Sequence, residues 1–444
     1  VKGLTIGDNA NGLDIAVIGS GIAGLSCAWL LSGRHRVTVY EAARRAGGHS
    51  CTVEVRTASG ALPVDMGFIV YNEPTYPNLT ALFRHLNVPT QASCMSFGVS
   101  LDDGGLEYGG HDLSALFAQR ANLLRPRFWS MLYHLVRLYR LAPNRMPDDA
   151  LSLGDWLDQH GMSQGLQRDH LLPMAAAIWS CPAGQVRAQP AAAFLRFCDN
   201  HGLLRLSNRP EWRTVTGGAR AYLSRLTATF ADRIQTGREV LAVQRFADHV
   251  KVGDSSGEWR RFDHAVIASH GDEALAMLPD ADEMERDVLG AFHCSDNRAV
   301  LHSDPALMPH RRAAWSSWNF LARSNAENDP PCVTYWMNRL QSLPGQDLFV
   351  TLNPRREPAP GLVHATQDFT HPIFDTATLQ AQKKIWRLQG TRRTWFCGAW
   401  LGSGFHEDGL QAGLAVAEAL GGVRRPWQVP HESARIYLPE TATA

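Results

Sequence analysis

Ile15-Ala16-Val17-Ile18-Gly19-Ser20-Gly21-Ile22-Ala23-Gly24-Leu25-Ser26 is the stretch on which the fold class turns. Four apolar residues read as a short buried strand, Gly19 to Gly24 as a glycine-rich turn, and Leu25 to Ser32 as a helix. Arg36-Val37-Thr38-Val39-Tyr40 follows as a second strand, which completes a βαβ unit. The turn fits G-x-G-x-x-G, and each glycine has a mechanical task. Gly19 permits the tight turn, Gly21 lets a pyrophosphate approach the backbone, and Gly24 allows the helix to pack closely on the strand. The helix start, with Ile22 and Ala23, adds unpaired N–H groups and a partial positive charge. Glu41, twenty residues after Gly21, stands where a carboxylate would accept bonds from ribose hydroxyls, and it argues against a 2′-phosphate. A glycine-rich turn can also be a plain connection; here strand, helix and acid agree on a dinucleotide. The turn alone does not separate FAD from NAD.

Working outward, 444 residues with 45% apolar content predict two interleaved globular domains. Basic and acidic residues both number 43, so nothing in the net charge draws the chain to nucleic acid. The eight cysteines form no C-x-x-C pair and no metal-ligand spacing, so no metal is expected and the thiols read as reduced and cytosolic. Val1 to Asp14 lacks a signal pattern, and no run of about 18 apolar residues occurs, so neither secretion nor a membrane span is indicated.

A helix-rich stretch from about Leu113 to Phe197 reads as a cap. Sheet-like pattern resumes with a helix over Ala221 to Phe230, alternating segments around Ile234, Val240 and Val250, and the buried strand Ala265 to Ala268. Short strand-like runs between Cys294 and Phe369, such as Cys332 to Trp336 and Leu348 to Leu352, would complete the cap. Thr394 to Gly398 reads as a last strand and Gly409 to Leu420 as a small-residue helix. The expected division is a discontinuous nucleotide domain over 12–90, 210–290 and 380–425, a substrate domain over 91–209 and 291–379, and a tail over 426–444.

Beyond Glu41 the text continues Ala42-Ala43-Arg44-Arg45-Ala46-Gly47-Gly48-His49, which resembles the E-A-x-x-R-x-G-G-R signature of the flavin amine oxidase and phytoene desaturase superfamily. Gly217-Gly218, Ile234-x-Thr236-x-x-x-Val240, Asp263-x-Ala265-Val266-Ile267-Ala268, Phe396-Cys397-Gly398 and Ser403 to Leu410 follow in the order those enzymes show. Gly48-His49-Ser50, Val64 to Asn72, Ala177-Ile178-Trp179-Ser180, Asn200 to Leu204 and Gly404 to Gly409 resemble a bacterial subgroup labelled NAD/FAD-binding or amine-oxidase-like. Its relatives include the oxidoreductase domain of plant cyclopropane fatty-acyl synthases and desaturases of furan fatty acid synthesis. The resemblance implies an α/β fold, a Rossmann-like FAD-binding domain of the amine oxidase (GR2) type interleaved with a mixed helical and sheet substrate domain.

By motif position it implies FAD contacts from Gly19, Ser20, Gly21, Ile22, Ala23, Gly24, Glu41, Ala42, Arg45, Gly47, Gly48, His49 and Val240. Gly398, Asp408, Gly409 and Leu410 would face the ribityl and pyrimidine end. His49 stands where the family usually has an arginine. Amine oxidases of the family commonly hold a lysine near flavin N5 and an aromatic cage. This chain has no lysine between Lys251 and Lys383; the cage positions carry His371 and Phe405, and Thr370 stands where some relatives link flavin through cysteine. Non-covalent FAD is expected. Hydride removal from an acyl carbon to N5 is the expected chemistry, with His371 or His406 taking the proton and Glu407 orienting one of them. Each histidine also reads plainly as a loop residue bonded to backbone. An amine or amino-acid oxidase, or a non-catalytic flavoprotein partnering a lipid methyltransferase or cyclopropane synthase-like enzyme, are the other readings.

Between Asp112 and Asp148 there is no acidic residue, while Arg120, Arg125, Arg127, Arg137, Arg140 and Arg145 accompany Phe128, Trp129, Met131, Leu132, Tyr133 and Tyr139. Such a basic amphipathic stretch over 120–145 can lie on a lipid surface, which would make a cytoplasmic protein peripheral to the inner face of the membrane. Equally, the apolar face can pack into the cap and leave the arginines solvated. Trp156, Trp179 and Trp212 read as cap core rather than substrate walls, and the Asn200-His201-Gly202 turn is a candidate to reach the substrate.

Overall fold

A computed structural model of the chain describes residues 12–58, 60–142, 147, 151–205, 209–324 and 328–439. Strand β1 (Asp14–Ile18), helix α1 (Ile22–Ser32) and strand β2 (Arg36–Glu41) form the predicted βαβ unit. The strands pair in parallel, Ile15 opposite Val37 and Ile18 opposite Tyr40. Parallel strands are covered on both faces, and Ala16, Val17, Val37 and Val39 accordingly have no exposed surface. The complete sheet runs Ile234–Thr236, β2, β1, His264–Ile267, Thr394–Phe396, every neighbouring pair parallel. Its strands come from three distant parts of the chain, as expected of a Rossmann-like α/β fold. An antiparallel meander (Val240–Arg245, Val250–Asp254, Trp259–Phe262) fills the connection before His264.

The helix foreseen from Gly409 begins earlier and spans His406–Gly421. Asp408 explains the early start: its carboxylate accepts the Phe405 backbone N–H at 2.8 Å and closes the first turn. This helix crosses α1 at very short range. A Cβ on Gly413 would lie 2.2 Å from the Ala23 carbonyl oxygen, and one on Gly24 would lie 2.0 Å from that of Gly19. The small residues thus let helix meet helix and helix meet strand at backbone distance.

The substrate region holds a seven-stranded sheet in the order Val363–Ile373, His293–His302, Phe349–Leu352, Cys332–Trp336, Trp318–Ala322, Phe97–Leu101, Leu106–Gly109. Its two longest strands, His293–His302 and Val363–Ile373, pair antiparallel along their lengths and were not foreseen. Their polar residues, Ser295, Asp296, Gln367 and Asp368 among them, hid the alternation that marks a strand. Helices over 113–200 pack on this sheet around Tyr108, Phe128, Met131, Trp156 and Phe194. The stretch read as a tail folds back: Trp427 stacks on Trp29 at 5.7 Å and donates to Asn78 Oδ1 at 3.1 Å. Among the described residues no helix is long and apolar enough to cross a membrane, and no group of residues could hold a metal ion.

Candidate active site

One cavity of about 1490 Å³ runs from the β1–α1 turn into the helical cap. At the turn its wall is made by Gly19, Ser20, Gly21, Ile22 and Ala23, then by Glu41, Ala42, Arg45, Gly48 and His49. Val240 and Gly398 also face it. A Cβ built on Gly21 would meet no protein atom within 4 Å, so the turn presents bare backbone to open space. Arg45 donates through one terminal nitrogen to the Gly48 carbonyl at 2.9 Å, while its Nη1 is buried without a protein partner. His49 Nε2 is buried and unpartnered as well. Such groups cost about 1–3 kcal/mol each unless a ligand satisfies them, and donors around exposed backbone suit a diphosphate. Glu41 accepts from Ser20 N at 3.1 Å, from the Ser20 hydroxyl, and from Ala43 N at 2.8 Å. That leaves about one of its four acceptor positions for a ribose hydroxyl. The residues present therefore fit the adenosine-diphosphate half of FAD.

Farther along, three imidazoles converge. His371 and His49 ring centres are 5.1 Å apart, His49 stacks on Phe369 at 4.9 Å, and His270 Nε2 meets the Thr370 hydroxyl at 3.0 Å. His371 Nδ1 and His270 Nδ1 are both buried without a protein partner. Burial, helped by the neighbouring His270, pulls His371 down to about 4, and burial holds His49 well below the ordinary histidine range. At neutral pH the His371 ring is uncharged and can accept a proton. His406 lies flat on Phe68 at 3.8 Å, with Nε2 at 2.8 Å from the Tyr222 hydroxyl and 3.1 Å from Ser50 Oγ. Burial lowers it to about 3. Phe405 lines the cavity and stacks on Phe197 at 4.8 Å.

Glu407 does not reach His371 or His406. Its carboxylate accepts from Asn78 N at 3.1 Å, Asn78 Nδ2 at 2.9 Å, Leu79 N at 2.9 Å and Gln411 Nε2 at 2.9 Å. One residue along a helix turns by about 100°, which sends Glu407 away from the wall that His406 faces and onto the open N-terminus of helix Pro77–His85. Glu407→Ala should therefore cost about 2–4 kcal/mol of stability in a thermal or urea melt and leave the bound-flavin spectrum unchanged. Asp408, Gly409 and Leu410 are also absent from the cavity wall; Asp408 caps its own helix, and Gly409 packs against Ile22. Gly24 and Gly47 are absent from the wall too: Gly24 packs against the Gly19 carbonyl, and the Gly47 N–H donates to the Ser20 carbonyl at 3.1 Å.

The cap supplies further wall residues, two of them tryptophans read from the sequence as core. Trp156 is core, but Trp179 and Trp212 line the cavity, as do His201 and Gly202. Leu132, Leu135, Val136, Tyr139, Met174 and Ile178 give the cap lobe an apolar lining, and no lysine faces any described part of the cavity. The i, i+3, i+4 spacing of Leu132, Leu135 and Val136 marked a buried face without telling cavity from core. His201, 3% exposed and stacked on Phe197 at 4.0 Å, is held at about 3 by burial. A histidine whose folded value lies below its unfolded value leaves the native state poorer in protons, so stability falls as pH drops from about 6.5. At pH 5 this residue alone should cost about 2 kcal/mol, and His201→Phe should flatten that part of a stability-versus-pH curve.

The family model described as flavin containing amine oxidoreductase matches residues 22–301. Comparison with curated protein sequences gives no match. Among solved structures, cyclohexylamine oxidase from Brevibacterium oxydans is 17% identical with a TM-score of 0.65, covering 92% of this chain and 99% of its own. A CLA-producing fatty acid isomerase from P. acnes is 16% identical with a TM-score of 0.62, covering 91% and 97%. Putrescine oxidase with bound putrescine is 13% identical with a TM-score of 0.61, covering 91% and 98%. At these identities the structural likeness establishes the fold, and the family match spans well over half of the chain. Together with the turn, the open Gly21 face and the unpartnered donors beside it, they make this chain a member of the flavin-containing amine oxidoreductase family with FAD as its cofactor.

Proposed function

We propose that this FAD-dependent oxidoreductase dehydrogenates the acyl chain of a lipid. The observation that carries the reading is the cap lobe, walled by Leu132, Leu135, Val136, Met174 and Ile178 and free of lysine along its described lining. A cavity of about 1490 Å³ exceeds the usual 300–1,000 Å³ of a small-ligand pocket, which leaves room for a long apolar substrate beside a cofactor. Bound FAD supplies the acceptor for two electrons and a hydrogen. The protein's own task is to hold an acyl chain in the apolar lobe, exclude water, and take one proton. His371, neutral and with an unpartnered Nδ1, is suited to be that base. Loss of a hydride from one carbon and a proton from its neighbour leaves a carbon–carbon double bond. The fatty acid isomerase noted above is a separate protein on the same fold, and it supports the compatibility of that architecture with acyl chains.

Oxidation of an amine is the second reading, favoured by the ring of Phe405 on the cavity wall and by the amine oxidases among the structural relatives. Lipids extracted from cells with and without the protein discriminate. The acyl reading expects a lipid species lighter by two hydrogens only when the protein is present. Identical lipid profiles together with consumption of an amine would replace it with the second.

A further inference from the structure

We propose that the segment from Leu113 to Tyr133 is a docking surface for an anionic lipid bilayer, which brings the acyl-chain cavity to its substrate. Leu113 is 74% exposed, Leu124 87%, Tyr133 67%, Leu123 49% and Trp129 48%. These are large apolar or aromatic groups, and Leu123, Trp129 and Tyr133 adjoin one another. The Trp129 indole donates to the Leu123 carbonyl at 2.9 Å, its ring lies 5.7 Å from Phe117, and Tyr133 follows one helical turn later on the same face. A contiguous apolar patch on a protein surface marks an interaction site.

Charge identifies the occupant. Arg120, Arg127 and Arg140 are exposed around the patch, and the stretch between Asp112 and Asp148 contains no acidic residue. Arg125 spends its contacts on the Gly105 carbonyl and on Gln119 and Asn122, and Arg137 on the Gly161 carbonyl, so these partners leave the positive charge in place. Arg127 is bidentate to Asp169 at 2.6 and 2.7 Å, which neutralises its charge. Leucines flanked by Trp, Tyr and arginine match the interfacial zone of a bilayer, where apolar groups enter the acyl boundary and cations meet headgroups. Arg145 lies outside the described residues.

Helix Pro126–Leu141 carries Trp129 and Tyr133 outward, while Leu132, Leu135 and Val136 line the cavity. Leu132 lies one turn from Trp129 and Val136 one turn from Tyr133, so the patch adjoins the wall of the apolar lobe. This purpose rests on the acyl-lipid reading, but the binding itself is measured without turnover, so the two can fail separately. The test is sedimentation of the flavin-loaded protein with phosphatidylcholine vesicles, with and without one-third phosphatidylglycerol. Binding to the anionic vesicles is expected, at least tenfold weaker on the neutral ones and for the triple variant Leu123→Ser, Leu124→Ser, Tyr133→Ser. Arg120→Gln with Arg137→Gln should lose the anionic preference, and both variants should keep wild-type flavin content and melting temperature. Equal sedimentation of wild type and both folded variants would overturn the proposal. So would absence of binding to anionic vesicles, or a concentration-dependent dimer that the triple variant abolishes, since the patch would then belong to a second copy.

Discussion

Gly21→Val is expected to yield a protein that folds like the wild type and carries almost no flavin. Gly21 has φ −66° and ψ 178°, a conformation open to any L-residue, and a Cβ there touches no protein atom within 4 Å. Nothing in the fold meets the first carbon of a side chain there. What it fills is the open face of the glycine turn beside Arg45 and His49, where a diphosphate would approach the backbone. Loss of at least 100-fold in FAD affinity is expected, about 2.7 kcal/mol, with the melting temperature of the flavin-free protein unchanged. Gly24→Val is the contrast. Its Cβ would lie 2.0 Å from the Gly19 carbonyl oxygen and 3.0 Å from the Ala268 Cβ, so β1 and α1 must separate and the fold itself should weaken by several kcal/mol. Flavin content by absorbance and stability by melting separate the two outcomes. A Gly21→Val protein that retains stoichiometric flavin would mean that the cofactor does not pass this turn.

His371→Ala is expected to keep its flavin and lose turnover by about 10²- to 10⁴-fold, the usual contribution of a positioned general base. Its imidazole is pulled down to about 4 by burial and by His270. The base is the neutral form, so in the wild type the rate should be level above about pH 5 and fall as pH drops through 4. His371→Ala should lack that acid limb. His406→Ala is the control on the other wall. Its Nε2 is already engaged by Tyr222 and Ser50, so its removal should disturb the placing of Phe68 and the cofactor more than the proton transfer. Unchanged turnover of His371→Ala would remove that residue from the reaction.

The sequence disclosed much of the nucleotide half because its signals are local. Strand, glycine turn, helix and Glu41 follow one another within about thirty residues, and parallel burial forces the apolar runs that betray the strands. The cap was read less well for the opposite reason. His293–His302 and Val363–Ile373 find each other across some seventy residues, and their backbone pairing holds polar residues that looked like loop. Glu407 shows the limit at a single residue: next to His406 in sequence, it serves a helix whose N-terminus comes from residues 77–79. Trp179 and His201 reach the cavity through helix packing that no spacing records. Leu132, Leu135 and Val136 announced an apolar face, but whether such a face meets core or cavity depends on volume left between elements.

Anaerobic mixing of the flavin-loaded protein with a defined fatty-acyl phospholipid tests the proposed reaction most directly. Loss of the visible flavin band with the phospholipid, in equal molar amount to a new acyl double bond and absent with primary amines, is the predicted result. Bleaching by amines with the phospholipid inert would contradict it and make the protein an amine oxidase; no bleaching by either would make it a flavoprotein that does not oxidise acyl chains.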